Sequence, residues 1–215
     1  VLLSGGRSKF MRFDQTDPEY SDKLGESLDD SDLIKECVDK KDDSKYVWNE
    51  KDFAKINPKK TKRLIGLFEP SYMRYEFDRK NDQAGEPSLS EMTTKAIDIL
   101  SRNKKGYFLM VEGGKIDHGS HAGNAYRALT DTVALSDAVR TAASKVDLEN
   151  TLIVVTADHS HTLVIQGYPA RGNDILGTAK DIKAKRTSSL PAQRNAVRII
   201  RTQSPIFTGV LTSRV

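Results

Sequence analysis

Four continuous apolar runs punctuate the chain. They are Val1-Leu2-Leu3, Arg63-Leu64-Ile65-Gly66-Leu67-Phe68, Gly106-Tyr107-Phe108-Leu109-Met110-Val111 and Thr151-Leu152-Ile153-Val154-Val155-Thr156. Their apolar positions are successive rather than alternate, a pattern that predicts strands buried on both faces of a parallel sheet. Helical patterns fall between them. Ser88 precedes Leu89 with Glu91 three places on, a reciprocal capping pair that predicts a helix start. Leu89, Met92, Ala96, Ile97 and Leu100 then recur at helical spacing. A longer helix is expected over residues 122–146, with Ala125, Leu129, Val133, Ala138 and Ala142 on one side. Helix, strand, helix, strand across residues 88–156 is the order of right-handed βαβ crossovers. The fold class expected is therefore α/β, a mostly parallel sheet flanked by helices. Residues 14–60 are less regular and read as an insertion, with one helix near 30–39 and a short strand at Tyr46-Val47-Trp48.

Composition narrows the function classes. No apolar run is long enough to span a membrane. The chain opens inside a strand pattern without Met or a leader-like segment, from which further sequence upstream is expected. The net charge of +4 is unevenly spread: residues 180–215 hold eight Lys/Arg against one acid, Asp181, so the preceding body is slightly acidic. That basic tail has a single aromatic, Phe207, and no recognition motif, so specific nucleic-acid binding is not expected. The single cysteine, Cys37, excludes an internal disulfide and is expected to be a small buried apolar residue.

The chemistry concentrates after the last two runs. One leads into Glu112-Gly113-Gly114-Lys115-Ile116-Asp117-His118-Gly119-Ser120-His121, the other into Ala157-Asp158-His159-Ser160-His161, and these hold all four histidines of the chain. Ligands of open α/β sheets gather beyond the carboxyl ends of the strands, so the two segments are expected at one rim. Imidazole with carboxylate suits Zn²⁺, and carboxylate with water suits Mg²⁺. Asp117 and His121 are one helical turn apart. Gly113, Gly114 and Gly119 are expected to let the chain bend around an ion. A lone loop histidine is ordinarily just solvated, and His161 is read that way, as a non-ligand. Two clusters that use every histidine point instead to metal.

These two segments resemble the central metal motifs of alkaline phosphatases. Leu2-Leu3-Ser4-Gly5-Gly6-Arg7 and Gly66-Leu67-Phe68 resemble other strand ends of that family, so the likeness runs from Val1 to about Gly177. The resemblance implies a partial alkaline-phosphatase-like α/β domain over 1–177, a basic tail over 178–215, and Zn²⁺ at two sites with Mg²⁺ at one. By the same resemblance Glu112 would bind magnesium, Asp117 and His121 the first zinc, and Asp158 and His159 the second. His118 would lie beside them and act through its neighbours. The activity implied is phosphomonoester hydrolysis through a phosphoserine, in a periplasmic or secreted protein that forms homodimers.

Two features depart from the family pattern. No Asp-Ser-Ala segment, where the family keeps its nucleophile, occurs in these residues, and no histidine follows His161. The expectation is that this chain carries only part of the site and hydrolyses phosphomonoesters negligibly alone. A non-catalytic metal- or phosphate-binding protein with a basic tail is the alternative. A phosphodiesterase or sulfatase of the same superfamily fits the Glu-Gly-Gly spacing less well.

Overall fold

The computed structural model describes residues 1–28, 31–39, 43–161, 163 and 171–174, and the backbone of 209–213. Chain order is β1 (Leu2–Ser4), α1 (Leu33–Asp39), β2 (Ser44–Val47), α2 (Glu50–Lys55), β3 (Arg63–Leu67), α3 (Leu89–Leu100), β4 (Tyr107–Val111), α4 (Lys115–His121), α5 (Ala125–Lys145), β5 (Thr151–Val155) and β6 (Gly209–Ser213). The class is α/β. One three-stranded sheet, β1-β3-β2, is parallel throughout. Its β2 lies within the irregular stretch 14–60, where a short strand was expected, and pairs with β3.

β4 and β5 belong to a second sheet, β4-β6-β5, in which each pairs antiparallel with β6. The antiparallel β6 is the exception in an otherwise parallel arrangement, within the mostly parallel sheet expected. It leaves β4 and β5 pointing the same way and level with each other, because Val111 and Val155 both pair with Gly209. Burial of these strands on both faces is corrected. Leu109, Val111 and Ile153 pack toward α3 and α5, whereas Phe108, Met110, Leu152 and Val154 are exposed. Register places Phe108 level with Leu152 and Met110 with Val154, so the exposed residues share one face. Apart from β6, the basic tail lies outside the described residues.

α3 starts at the expected capping pair: Ser88 Oγ accepts from Glu91 N, and the Glu91 side chain accepts from Ser88 N. Its Met92 and Ile99 pack with Leu64, Phe68, Val47 and Phe53 under the first sheet, where the Phe53 and Phe68 rings meet edge to face at 5.5 Å. Its Ile97 packs with Ala142, Leu109 and Val111 against the second. α3 thus joins the two sheets. The long helix expected over residues 122–146 runs unbroken from Ala125 to Lys145. Gly123 sits at φ 64, a left-handed conformation that only glycine takes cheaply, and Asn124 caps α5 by accepting from Arg127 N. α5 buries a stripe at Ala125, Ala128, Asp131, Leu135, Ala138 and Ala142. Leu129 and Val133, expected inside, are exposed. Small residues win that face because α4 and α5 touch backbone to backbone. Cys37 is also exposed, since α1 buries none of its residues.

At the N-terminus the fully buried Arg7 ties three segments together. It donates from Nε and Nη2 to Asp17, both at 2.8 Å, from Nη2 to Glu19 at 2.9 Å, and from Nη1 to the Leu67 carbonyl at 3.1 Å.

Candidate metal centre

The rim where β4 and β5 end collects the predicted residues. α4 places Asp117 and His121 on one face, with His121 Nε2 3.4 Å from Asp117 Oδ2. From the β5 side, His161 brings its Nε2 to 3.3 Å from Asp117 Oδ1. The three side chains offer donor atoms all within 4.8 Å of one another. Tetrahedral Zn–N and Zn–O bonds of about 2.0–2.1 Å separate ligands by roughly that contact distance. Asp117 Oδ1 is buried and accepts no hydrogen bond despite the nearby imidazole. His161, set aside in the sequence, therefore belongs to the cluster. Its signal was its place two residues after His159, in the same segment that follows β5.

Asp158 and His159 form the second group, with His159 Nε2 3.3 Å from Asp158 Oδ2. His159 Nδ1 lies 3.1 Å from the Ser160 carbonyl. A carbonyl only accepts, so Nδ1 is the donor in that contact, and Nε2 is the nitrogen turned toward Asp158. That Nε2 is buried and makes no hydrogen bond, the state of an imidazole ready to ligate, held by its other nitrogen. Glu112 completes the set. Burial raises its carboxyl pKa, and the charges of Asp158 and then Asp117 raise it further, so the three carboxylates repel through shared space. A cation among them would offset that repulsion.

His118 presents the opposite chemistry. Its Nδ1 lies 3.2 Å from Lys115 Nζ, a group that can only donate, which leaves the ring proton on Nε2. Tyr72 holds the ring edge to face at 4.5 Å. His118 thus offers an N–H rather than a lone pair.

The bend assigned to three glycines is made elsewhere. None of Gly113, Gly114 and Gly119 has positive φ; Gly123 does. Gly119 serves packing, since a Cβ there would lie 2.7 Å from Ala128 N on α5.

A further oxygen-rich group escaped the sequence, because its members come from separate segments. Glu19, Glu69 and Asp82 bring carboxylate oxygens within 4.8 Å of one another. Glu19 Oε1 and Asp82 Oδ2 are buried without hydrogen bonds; Glu69 Oε1 is 2.9 Å from Arg74 Nε, off the hydrogen-bonding direction. Burial pushes the Glu69 carboxyl up to about 6. Clustered hard oxygens of this kind suit Ca²⁺.

The sequence profile described as alkaline phosphatase matches residues 1–205, past Gly177 and into the basic tail. The chain is 43% identical over 184 residues to the alkaline phosphatase of Gadus morhua, covering 83% of this chain and 38% of that protein. It is 44% identical over 185 residues to the human tissue-nonspecific isozyme, covering 83% and 35%, and 38% identical over 190 residues to the membrane-bound alkaline phosphatase of Bombyx mori, covering 86% and 34%. It therefore spans little more than a third of these relatives' length. Among solved structures, Thermus thermophilus alkaline phosphatase is similar at TM-score 0.57 and 29% identity, covering 71% of this chain and 29% of that one. The fold alone is shared with the alkaline phosphatase of a Shewanella species, at TM-score 0.57 and 23% identity over 78% of this chain and 36% of that one. No helix among the described residues is long and apolar enough to cross a membrane. Strand ends, clustered ligand types and these relatives agree: the chain belongs to the alkaline phosphatase family.

Proposed function

We propose that these residues form the metal-holding rim of a phosphomonoester hydrolase. Asp117 and His121 would hold one zinc ion, Asp158 and His159 a second, and Glu112 a magnesium ion. Bound there, the metals would lower the pKa of a coordinated hydroxyl and offset the charge of the phosphoryl oxygens. The chain's own residues orient and donate. His161, whose Nε2 lies 3.3 Å from Asp117 Oδ1, would flank the first zinc on that side. His118, fixed by Lys115 and Tyr72, would donate its Nε2–H to an anionic oxygen of substrate or phosphate. No serine in these residues is assigned as the nucleophile. The family pattern extends the reading to a phosphoserine formed on the Asp-Ser-Ala segment, in an exported homodimer.

The observation that carries the reading is the convergence on Asp117 of His121 and His161, from two segments 40 residues apart, at 3.4 and 3.3 Å. Zinc affinity measured by competition with a chromogenic chelator tests it. Asp117→Asn should weaken binding by tenfold or more, and unchanged affinity would count against the assignment. Hydrolysis of p-nitrophenyl phosphate by these residues alone should be negligible.

A further inference from the structure

The loops that follow β1 and β3 are tied together through their backbones. Gly6 N donates to the Ser71 carbonyl at 2.5 Å, Arg7 N to that of Glu69 at 2.9 Å, and Ser8 N to that of Pro70 at 3.0 Å. Ser8 Oγ adds a second bond to the Pro70 carbonyl at 2.8 Å. The approach is close enough to exclude a side chain at Gly5, where a Cβ would run into the Ser71 carbonyl oxygen and lie 2.9 Å from Met73 N. Residues 69–73 are therefore fixed by their main chain, and they carry Tyr72 at a set position.

Tyr72 reaches from this loop to α4. Its ring meets the His118 ring edge to face at 4.5 Å, and the Lys115 ammonium lies 5.7 Å from its centre. Lys115 is itself held, 4.2 Å from the Tyr75 ring centre and 3.2 Å from His118 Nδ1. Tyr72 nevertheless remains 70% exposed. A lone exposed aromatic is ordinary on a protein surface. This one lines a cleft of about 930 Å³ together with Glu112, Asp117 and His118. Ligand pockets are walled by aromatic side chains, with a few polar groups that fix orientation.

These positions divide the substrate between them. Under the reading above, the rim and the His118 N–H take the phosphoryl oxygens, so the ring beside His118 flanks the alcohol half of the ester. We propose that Tyr72 is a specificity-determining residue whose exposed ring stacks on an aromatic leaving group, so that the site favours aryl over alkyl phosphomonoesters. The inference rests on the phosphomonoesterase reading and deepens it. An aromatic pair contributes roughly two- to tenfold in affinity beyond its buried area.

The test measures binding rather than turnover, by calorimetry on the 215-residue chain loaded with zinc and magnesium. The probes are phenylphosphonate and methylphosphonate, in which a P–C bond replaces the scissile P–O bond. Phenylphosphonate should bind roughly two- to tenfold tighter. Tyr72→Ala should remove that difference and leave the methylphosphonate affinity unchanged, the sign that fold and rim are intact. Tyr72→Phe keeps the ring and should keep the preference, which separates stacking from a hydrogen bond of the hydroxyl. The proposal is overturned if the wild type binds both probes alike, if the preference survives Tyr72→Ala, or if Tyr72→Phe loses it. It is also overturned if Tyr72→Ala weakens both probes equally, since the ring would then act only by propping His118. In each of these cases phosphonate still binds and the phosphatase reading stands. Binding of neither probe by the wild type would overturn that reading and this proposal together.

Discussion

Arg7→Met isolates what a buried ion pair contributes to this fold. Methionine keeps the apolar stem and removes the guanidinium, which is fully buried and makes three short bonds to Asp17 and Glu19 and one to the Leu67 carbonyl. Removing one partner of a buried pair costs about 3–5 kcal/mol, because the remaining charge is left in the interior. Asp17 keeps backbone donors from Glu19 N at 2.9 Å and Tyr20 N at 3.1 Å, which places the loss near the lower end, about 3 kcal/mol. Against a total stability of about 5–15 kcal/mol that is a large share. The assay is urea denaturation followed by the single tryptophan, Trp48, whose ring centre lies 5.4 Å from the guanidinium carbon. The pH dependence gives a second reading. Burial alone would raise the Asp17 carboxyl pKa, but Arg7 and the backbone donors outweigh it and hold it below the ordinary value. A depressed carboxyl contributes stability above its unfolded pKa, about 3.9, and loses it as pH falls through the folded value. The gap between wild type and variant should therefore narrow below about pH 4. A loss under about 1 kcal/mol at pH 7, the size of an exposed pair, would refute the reasoning.

Three further outcomes follow from particular residues. Glu86 is pushed up to about 7 by burial, a raised carboxyl whose contribution is present at low pH and lost as pH rises through that value. Glu86→Gln should therefore stabilise the chain at pH 8, by up to about 3 kcal/mol, and change little near pH 4.5 in urea titrations; equal effects at both pH values would contradict the burial argument. Gly119→Ala would force α4 from α5, since the added carbon meets backbone at 2.7 Å; zinc affinity should fall although no ligand is changed, as read by chelator competition. Calcium should raise the melting temperature through Glu19, Glu69 and Asp82, and Glu69→Gln should abolish that rise in a thermal scan.

The gathering of the His/acid segments at one rim was legible because its signals are local. Strand runs ending in His/acid segments place their ligands by topology alone, and the common level of Val111 and Val155 put Glu112 and Asp158 at one edge as expected. The α3 capping pair was legible for the same reason. What the sequence hid depends on distant partners. Leu152 and Val154 look like core residues by composition, yet what covers them is set by neighbours far away in the chain. Leu129 and Val133 lost the inner face of α5 to alanines because that face packs closely against α3 and α4, which lie elsewhere in the chain. Glu19, Glu69 and Asp82 carry no shared spacing; only the folded chain brings them together.

The most direct measurement is anomalous diffraction at the zinc edge from crystals of this chain equilibrated with zinc. The account predicts peaks bonded to His121 Nε2 with Asp117 and to His159 Nε2 with Asp158, at about 2.0–2.2 Å. Zinc found only at surface carboxylates or at the Glu19, Glu69 and Asp82 group, with the rim histidines unligated, would contradict it.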